Sequence, residues 1–211
     1  MAGIAVPGTS AGASLTNCIN TPGWFGSRPA IRPWRAKSSS ARYACVTCHG
    51  ARGEGNGFDA PRLAGLPAGY LQKQMEDCAL GLRPHEVMRD AARFLDSHER
   101  VRVANCYAAL PPQALSPATQ EAIAAATPGL YASTCQPCHG VEGIGSENGP
   151  PLNAQPAFYL TQQLQDWQVS KRSNDGHHVM LKVAQQLKPE EVRQLSLYLA
   201  QIPARQAPAD R

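Results

Sequence analysis

The chain has 211 residues, a formal charge of +4 at neutral pH, 43% hydrophobic residues and only 6% aromatic ones. That length allows two small domains or one of medium size, and no stretch approaches the roughly 20 apolar residues of a membrane span. The whole charge excess sits in residues 1–40, where Arg28, Arg32, Arg35 and Lys37 meet no acidic residue; the remaining 16 basic and 16 acidic side chains balance, so no basic face for nucleic acid is expected.

Residues 1–40 read as an N-terminal extension that also holds Trp24, Trp34 and Cys18. A solvated arm and a segment that docks a redox partner are both open readings. Met1 to Leu15 lacks basic residues and is broken by Pro7, so it makes a poor signal peptide. Either the chain is a trimmed form or export is directed by residues beyond it. The first domain is expected over 41–112 and opens on Cys45-Val46-Thr47-Cys48-His49. Leu71, Met75 and Cys78 then recur at i, i+4 and i+7, the spacing of one apolar helix face. A last helix starts at Asp96, with Glu99 completing a capping box. Residues 113–128, Ala-rich and bounded by prolines, read as a linker with room for a short helix.

The second domain, expected over 129–211, repeats the first. Cys135-Gln136-Pro137-Cys138-His139 stands 90 residues after the first motif, Pro156 to Leu160 matches Pro67 to Leu71 at an offset of 89, and Met180 matches Met88 at 92. Leu160, Leu164 and Trp167 repeat the helix face. The final helix begins at Pro189 and carries Val192, Leu195, Leu199 and Ile202 as its stripe. Recurrence in this order marks a tandem duplication. No segment alternates as a strand would.

C-x-x-C-H is the attachment signature of c-type haem. Two thiols about one helical turn apart reach the two vinyl groups of a porphyrin, and the next His lies under the iron. Cys45, Cys48 and His49 hold one haem on this reading, Cys135, Cys138 and His139 the other. A zinc site would need the four thiolates gathered together, and a redox pair a βαβ context. For the opposite axial position the candidates are Met88 and Met180, with His85 and His177 as the competing pair. Met75 lies on the helix stripe and reads as core. Pro61 and Pro150, 12 and 11 residues after the His, are placed to present a carbonyl to the His Nδ1–H, which fixes the ring and raises its basicity.

The order C-x-x-C-H-G, Pro-x-Leu, Tyr-Leu on a helix, Met, then an amphipathic helix resembles the class I cytochrome c domain. Its doubling resembles the dihaem cytochrome c4 family, over roughly 41–110 and 129–203. The resemblance implies an all-α fold of two tandem class I domains, each a small helical bundle around one covalent haem c, with the haem edges facing across the interface. It also implies an electron carrier of the periplasm, with a terminal oxidase, a quinol–cytochrome c reductase or a periplasmic dehydrogenase as partner. A cytochrome subunit held in a dehydrogenase or respiratory complex is the alternative. A dihaem enzyme, such as a peroxidase or thiosulfate dehydrogenase, is a third reading that two equivalent Met candidates oppose.

The repeat carries one more expectation. Trp167 and Tyr198 are the equivalents of Cys78 and Cys106, so an aromatic pair in one half appears as two cysteines in the other. If the paired positions touch, Cys78 and Cys106 form a disulfide in an oxidising compartment, leaving Cys18 as the odd thiol.

Overall fold

A computed structural model describes residues 45–115 and 121–205. The extension 1–40, with Cys18, and part of the linker lie outside the described residues. Residues 45–49 form a helical turn, α1. The first half continues with α2 (Ala68–Leu80), α3 (Glu86–Arg93) and α4 (Ser97–Ala109). The second contains α5 (Thr127–Thr134), α6 (Gln136–His139), a 3-10 turn at Val141–Gly143, α7 (Ala157–Gln168), α8 (Val179–Gln186) and α9 (Pro189–Gln201). Among the described residues β-pairing is limited to one bridge, Ser146 to Gly149. The fold is all-α.

Local chemistry sets the helix ends. Pro67 and Pro156 precede α2 and α7 with the same φ of −56° and ψ of 133°, because the proline ring fixes φ where the helix has no partner for an N–H. Gly81 closes α2 with φ 79° and donates its N–H to Cys78 O. At α4 Asp96 accepts from the Glu99 N–H at 2.8 Å, and Glu99 accepts from the Asp96 N–H at 2.9 Å, so the expected capping box is present. Residues 113–115 and 121–126 of the Ala-rich linker are not helical. Helix α5 starts at Thr127, within the span read as linker, with Pro128 in its first turn.

The principal helix packings fall within one half or the other: α2 on α3 and α4, α7 on α8 and α9, and α5 on α9. Leu66, Leu71, Tyr107 and Leu110 fill the first core. Tyr131, Leu160, Val192, Leu195, Leu199 and Ile202 fill the second, which places the whole predicted stripe of α9 inside. Each buried aliphatic side chain contributes about 1.5–3 kcal/mol.

The loops after the two His residues are copies at backbone level. Gly55 N–H donates to His49 O and Gly145 N–H to His139 O, each at 2.8 Å. Leu63 N–H to Gly53 O and Leu152 N–H to Gly143 O are also both 2.8 Å. Gly53 and Gly143 have φ of +73° and +68°, and a Cβ there would sit 2.7 Å from Tyr107 and 2.9 Å from Leu199. Both positions need glycine for conformation and for clearance.

The halves meet through a stacked pair, Phe58 on Phe158 with centroids 4.2 Å apart, and through polar contacts among buried or half-buried residues.

Candidate haem-binding sites

In each half the attachment motif lies on a helical turn, which brings its two thiols to one side. His139 N–H donates to Cys135 O at 2.9 Å and so closes that turn. His49 and His139 are buried to the same 7% exposure. His49 Nδ1 is 2.9 Å from Pro61 O, and His139 Nδ1 is 2.9 Å from Pro150 O. A ring that donates from Nδ1 keeps a lone pair on Nε2, the form that binds a metal. Burial lowers the pKa of both rings, only partly opposed by the proline carbonyls, so both are neutral donors at neutral pH.

Cys45 and Cys135 are not activated. Burial is the main cause that raises Cys45, and it pushes Cys135 up to about 11 with help from Cys138. A nucleophilic or redox-active cysteine has the opposite shift. No group of three or more His, Cys, Asp or Glu is gathered among the described residues, so the arrangement a zinc site requires is not formed there. Two thiols plus one neutral, oriented imidazole, occurring twice, is a donor set that fits covalent haem.

Met88 and Met180 are half-buried. They lie in the first turns of α3 and α8 rather than in loops. His85 is exposed and serves as N-cap of α3, its Nδ1 accepting from the Met88 N–H at 3.3 Å. In the second half the Met180 N–H goes to Asp175 Oδ2 at 2.7 Å, and His177 and His178 are exposed with φ of 63° and 53°. Met75 packs against the first core and against the Cys78–Ala92 cluster.

A charged network between the halves was not singled out from the sequence. Arg83 donates to Gln74 at 3.0 Å, to Tyr159 Oη at 3.1 Å and to Gln163 at 2.8 Å. Arg172 donates to Gln163 at 2.6 Å and Gln74 at 3.1 Å, and lies over the Trp167 ring at 4.8 Å. These hydrogen-bond partners are neutral side chains. The signal was present in the repeat, because Gln74 and Gln163, Arg83 and Arg172, and Tyr70 and Tyr159 all recur at the offset of 89. Burial raises the Tyr159 phenol, yet Arg83 and Arg172 outweigh it and bring its pKa below the ordinary value.

The cytochrome c family matches residues 124–203. A thiosulfate dehydrogenase electron acceptor of Stutzerimonas stutzeri is 35% identical over 178 residues, covering 78% of this chain and 82% of that one. Cytochrome c4 of Thiocapsa roseopersicina is 30% identical over 192 residues, covering 85% and 97%. The chain belongs to the cytochrome c4 family. It is a dihaem electron-transfer cytochrome with covalently bound haem c, built as two tandem class I domains. Among solved structures, a thiosulfate dehydrogenase of Marichromatium purpuratum superposes with a TM-score of 0.70 at 36% identity; the match covers 78% of this chain and 38% of that one. No helix among the described residues is long and apolar enough to cross a membrane.

One expectation for this cytochrome c4-type chain is corrected. Cys78 and Cys106 are not joined to each other. Cys78 is buried with Ala79 and Ala92, whereas Cys106 belongs to the core around Tyr107 and Leu110. The premise fails in the other half too, because Trp167 lies under Arg172 while Tyr198 packs on Tyr131 at 5.6 Å. Shared helix neighbours do not make two positions touch. Alkylation of Cys78 in the unfolded chain, without prior reduction, checks this.

Proposed function

We propose that this cytochrome is a periplasmic electron acceptor for a thiosulfate-oxidising dehydrogenase and passes the electrons on to a respiratory partner. The observation that carries this reading is the 35% identity, over most of both chains, to a relative named for that role. On the same reading Cys45 and Cys48, and Cys135 and Cys138, form the thioethers. His49 and His139 are the proximal ligands, held by Pro61 and Pro150 at 2.9 Å. Met88 and Met180 would supply the second ligand to each iron. His85 Nδ1 is engaged in capping α3, which leaves that ring turned to a different task. When bound, haem supplies a one-electron couple between ferric and ferrous iron, and the Met thioether favours the ferrous form. Arg83 and Arg172 are cations with neutral partners, suited to balance the propionate carboxylates.

With one His and one Met filling the two positions of each iron that the porphyrin would leave, no substrate would coordinate, and the role would be that of a carrier. The test mixes the ferric cytochrome with a thiosulfate dehydrogenase and thiosulfate and follows the visible absorbance. Rapid reduction of both haems is expected; no reduction above the rate with thiosulfate alone overturns the proposed donor. The weak far-red band of Met-ligated ferric haem tests the ligands separately. The likeness to part of a dehydrogenase chain also favours a second reading, a cytochrome held permanently by its dehydrogenase. Co-purification through high salt would mark that form.

A further inference from the structure

We infer that Gln155 of the second half is a positioning residue for His49 of the first, and that the two haem centres are unequal because of it. The inference rests on the reading of His49 and His139 as iron ligands. Pro61 O, which faces His49 Nδ1 at 2.9 Å, belongs to the peptide unit whose N–H is that of Arg62. That N–H donates to Gln155 Oε1 at 2.9 Å, and Gln155 Nε2 donates back to Arg62 O at 3.0 Å. The Gln155 side chain therefore grips the backbone as a neighbouring strand would, and both contacts are buried. Gln155 is 3% exposed and Arg62 fully buried.

The result is a continuous chain of hydrogen bonds: His49 Nδ1–H to Pro61 O, then through one peptide plane to the Arg62 N–H and Gln155 Oε1. Hydrogen bonds in series polarise one another, more so where water is excluded. Gln155 thus makes Pro61 O a stronger acceptor and holds its plane in place. A stronger acceptor at Nδ1 makes the imidazole a better electron donor at Nε2, a lever on the metal from outside its ligand set. The Arg62 side chain anchors the same loop. It donates to Ala64 O, and to Asn153 O at 3.1 Å and Asn153 Oδ1 at 3.3 Å.

The second half cannot build this device. The residue equivalent to Arg62 is Pro151, which has no N–H to donate. Pro150 O still accepts from His139 at 2.9 Å, but its peptide plane offers nothing for a partner to grip. Distances at the two His residues are alike, while the support behind them differs.

The test is nuclear magnetic resonance on the intact dihaem protein, read at the two imidazole Nδ1–H groups, with redox titration of each haem. In the unaltered chain His49 Nδ1–H exchanges more slowly than His139 Nδ1–H; equal rates, or the reverse order, overturn the inference. Gln155→Met keeps the length and removes both contacts. Exchange at His49 is then expected to quicken about tenfold, the loss of roughly one hydrogen bond, with His139 unchanged and the potential of the first centre alone moving upward. Asn174→Ala, which breaks interdomain contacts to Gln74 and Asp77, serves as the control and leaves both rings unaffected. No change at His49 in Gln155→Met, equal changes at both rings, or the same change in Asn174→Ala would each overturn the assignment. If the two rings show no paramagnetic shift in the unaltered ferric protein, the ligand reading has failed, and that outcome is separate from the others.

Discussion

The two halves of the molecule agree closely in their loops and poorly in their last helices. Behind His49 and His139 several backbone hydrogen bonds repeat within 0.1 Å: Ala64 N–H to Gly53 O and Asn153 N–H to Gly143 O are both 3.0 Å, and Gly65 N–H to Tyr107 O and Ala154 N–H to Leu199 O are 3.0 and 2.9 Å. On α9, Val192, Leu195, Leu199 and Ile202 are all buried. Their equivalents on α4 are Arg100, Val103, Tyr107 and Leu110, of which only the last two are buried. Arg100 uses its position to donate to Ala92 O at 3.0 Å. A loop that must aim one carbonyl at one ring nitrogen tolerates little change. A helix that must only fill volume accepts many side chains of suitable bulk.

The largest expected effect breaks the likeness of the two sites. Met88→His or Met180→His keeps both haems attached but lowers the potential of one centre by on the order of 0.1 V or more, within the ≈ 0.8 V that axial ligands span. Redox titration with spectra resolved for each haem checks it. The unaltered centre should hold its potential to within the shift that a neighbouring charge causes. Two unmoved potentials would return His85 and His177 to consideration.

The fold class, the duplication and both attachment motifs were legible because each is periodic or local: a pentapeptide, a helical stripe, a capping box. The Asp96 cap and the α9 stripe appear in the structure as the residues dictate. The Met segments were less legible. Met88 and Met180 lie in the first turns of helices, where the contacts of His85 and Asp175 are of a kind that helix-start rules scarcely weigh. What could not be read was contact between halves. Arg62 pairs with Gln155 across 93 residues. No periodicity encodes which faces of two domains meet.

Stability should follow the difference between the last helices. Leu195 is 1% exposed and Val103, its equivalent, is half-buried. Leu195→Ala is expected to cost the second half roughly 2–5 kcal/mol. Val103→Ala should cost the first half about 1 kcal/mol. Urea unfolding followed at each haem separately measures both. Equal losses would overturn the difference in packing between the two last helices.

The smallest effect lies at the two Met turns. The Met180 N–H is held by a carboxyl oxygen at 2.7 Å and the Met88 N–H by an imidazole at 3.3 Å. Asp175→Ala should therefore cost about 1 kcal/mol of helix stability, and His85→Ala a few tenths, roughly 0.3 kcal/mol. The His85 contact also depends on pH, because Nδ1 accepts only while the ring is neutral. Burial lowers the His85 pKa from its ordinary 6.5; Arg83 and Lys171 act the same way, and its own backbone and Asp59 oppose them. A histidine with a depressed folded pKa contributes stability that is complete above 6.5 and disappears as pH falls through the depressed value. Amide exchange at Met88, corrected for the intrinsic effect of pH, should thus lose protection on going from neutral to acid solution, and in His85→Ala the protection should be low at both. If Met88 keeps its protection in acid, or if His85→Ala exchanges as slowly as the unaltered chain, the imidazole is not what holds the start of α3.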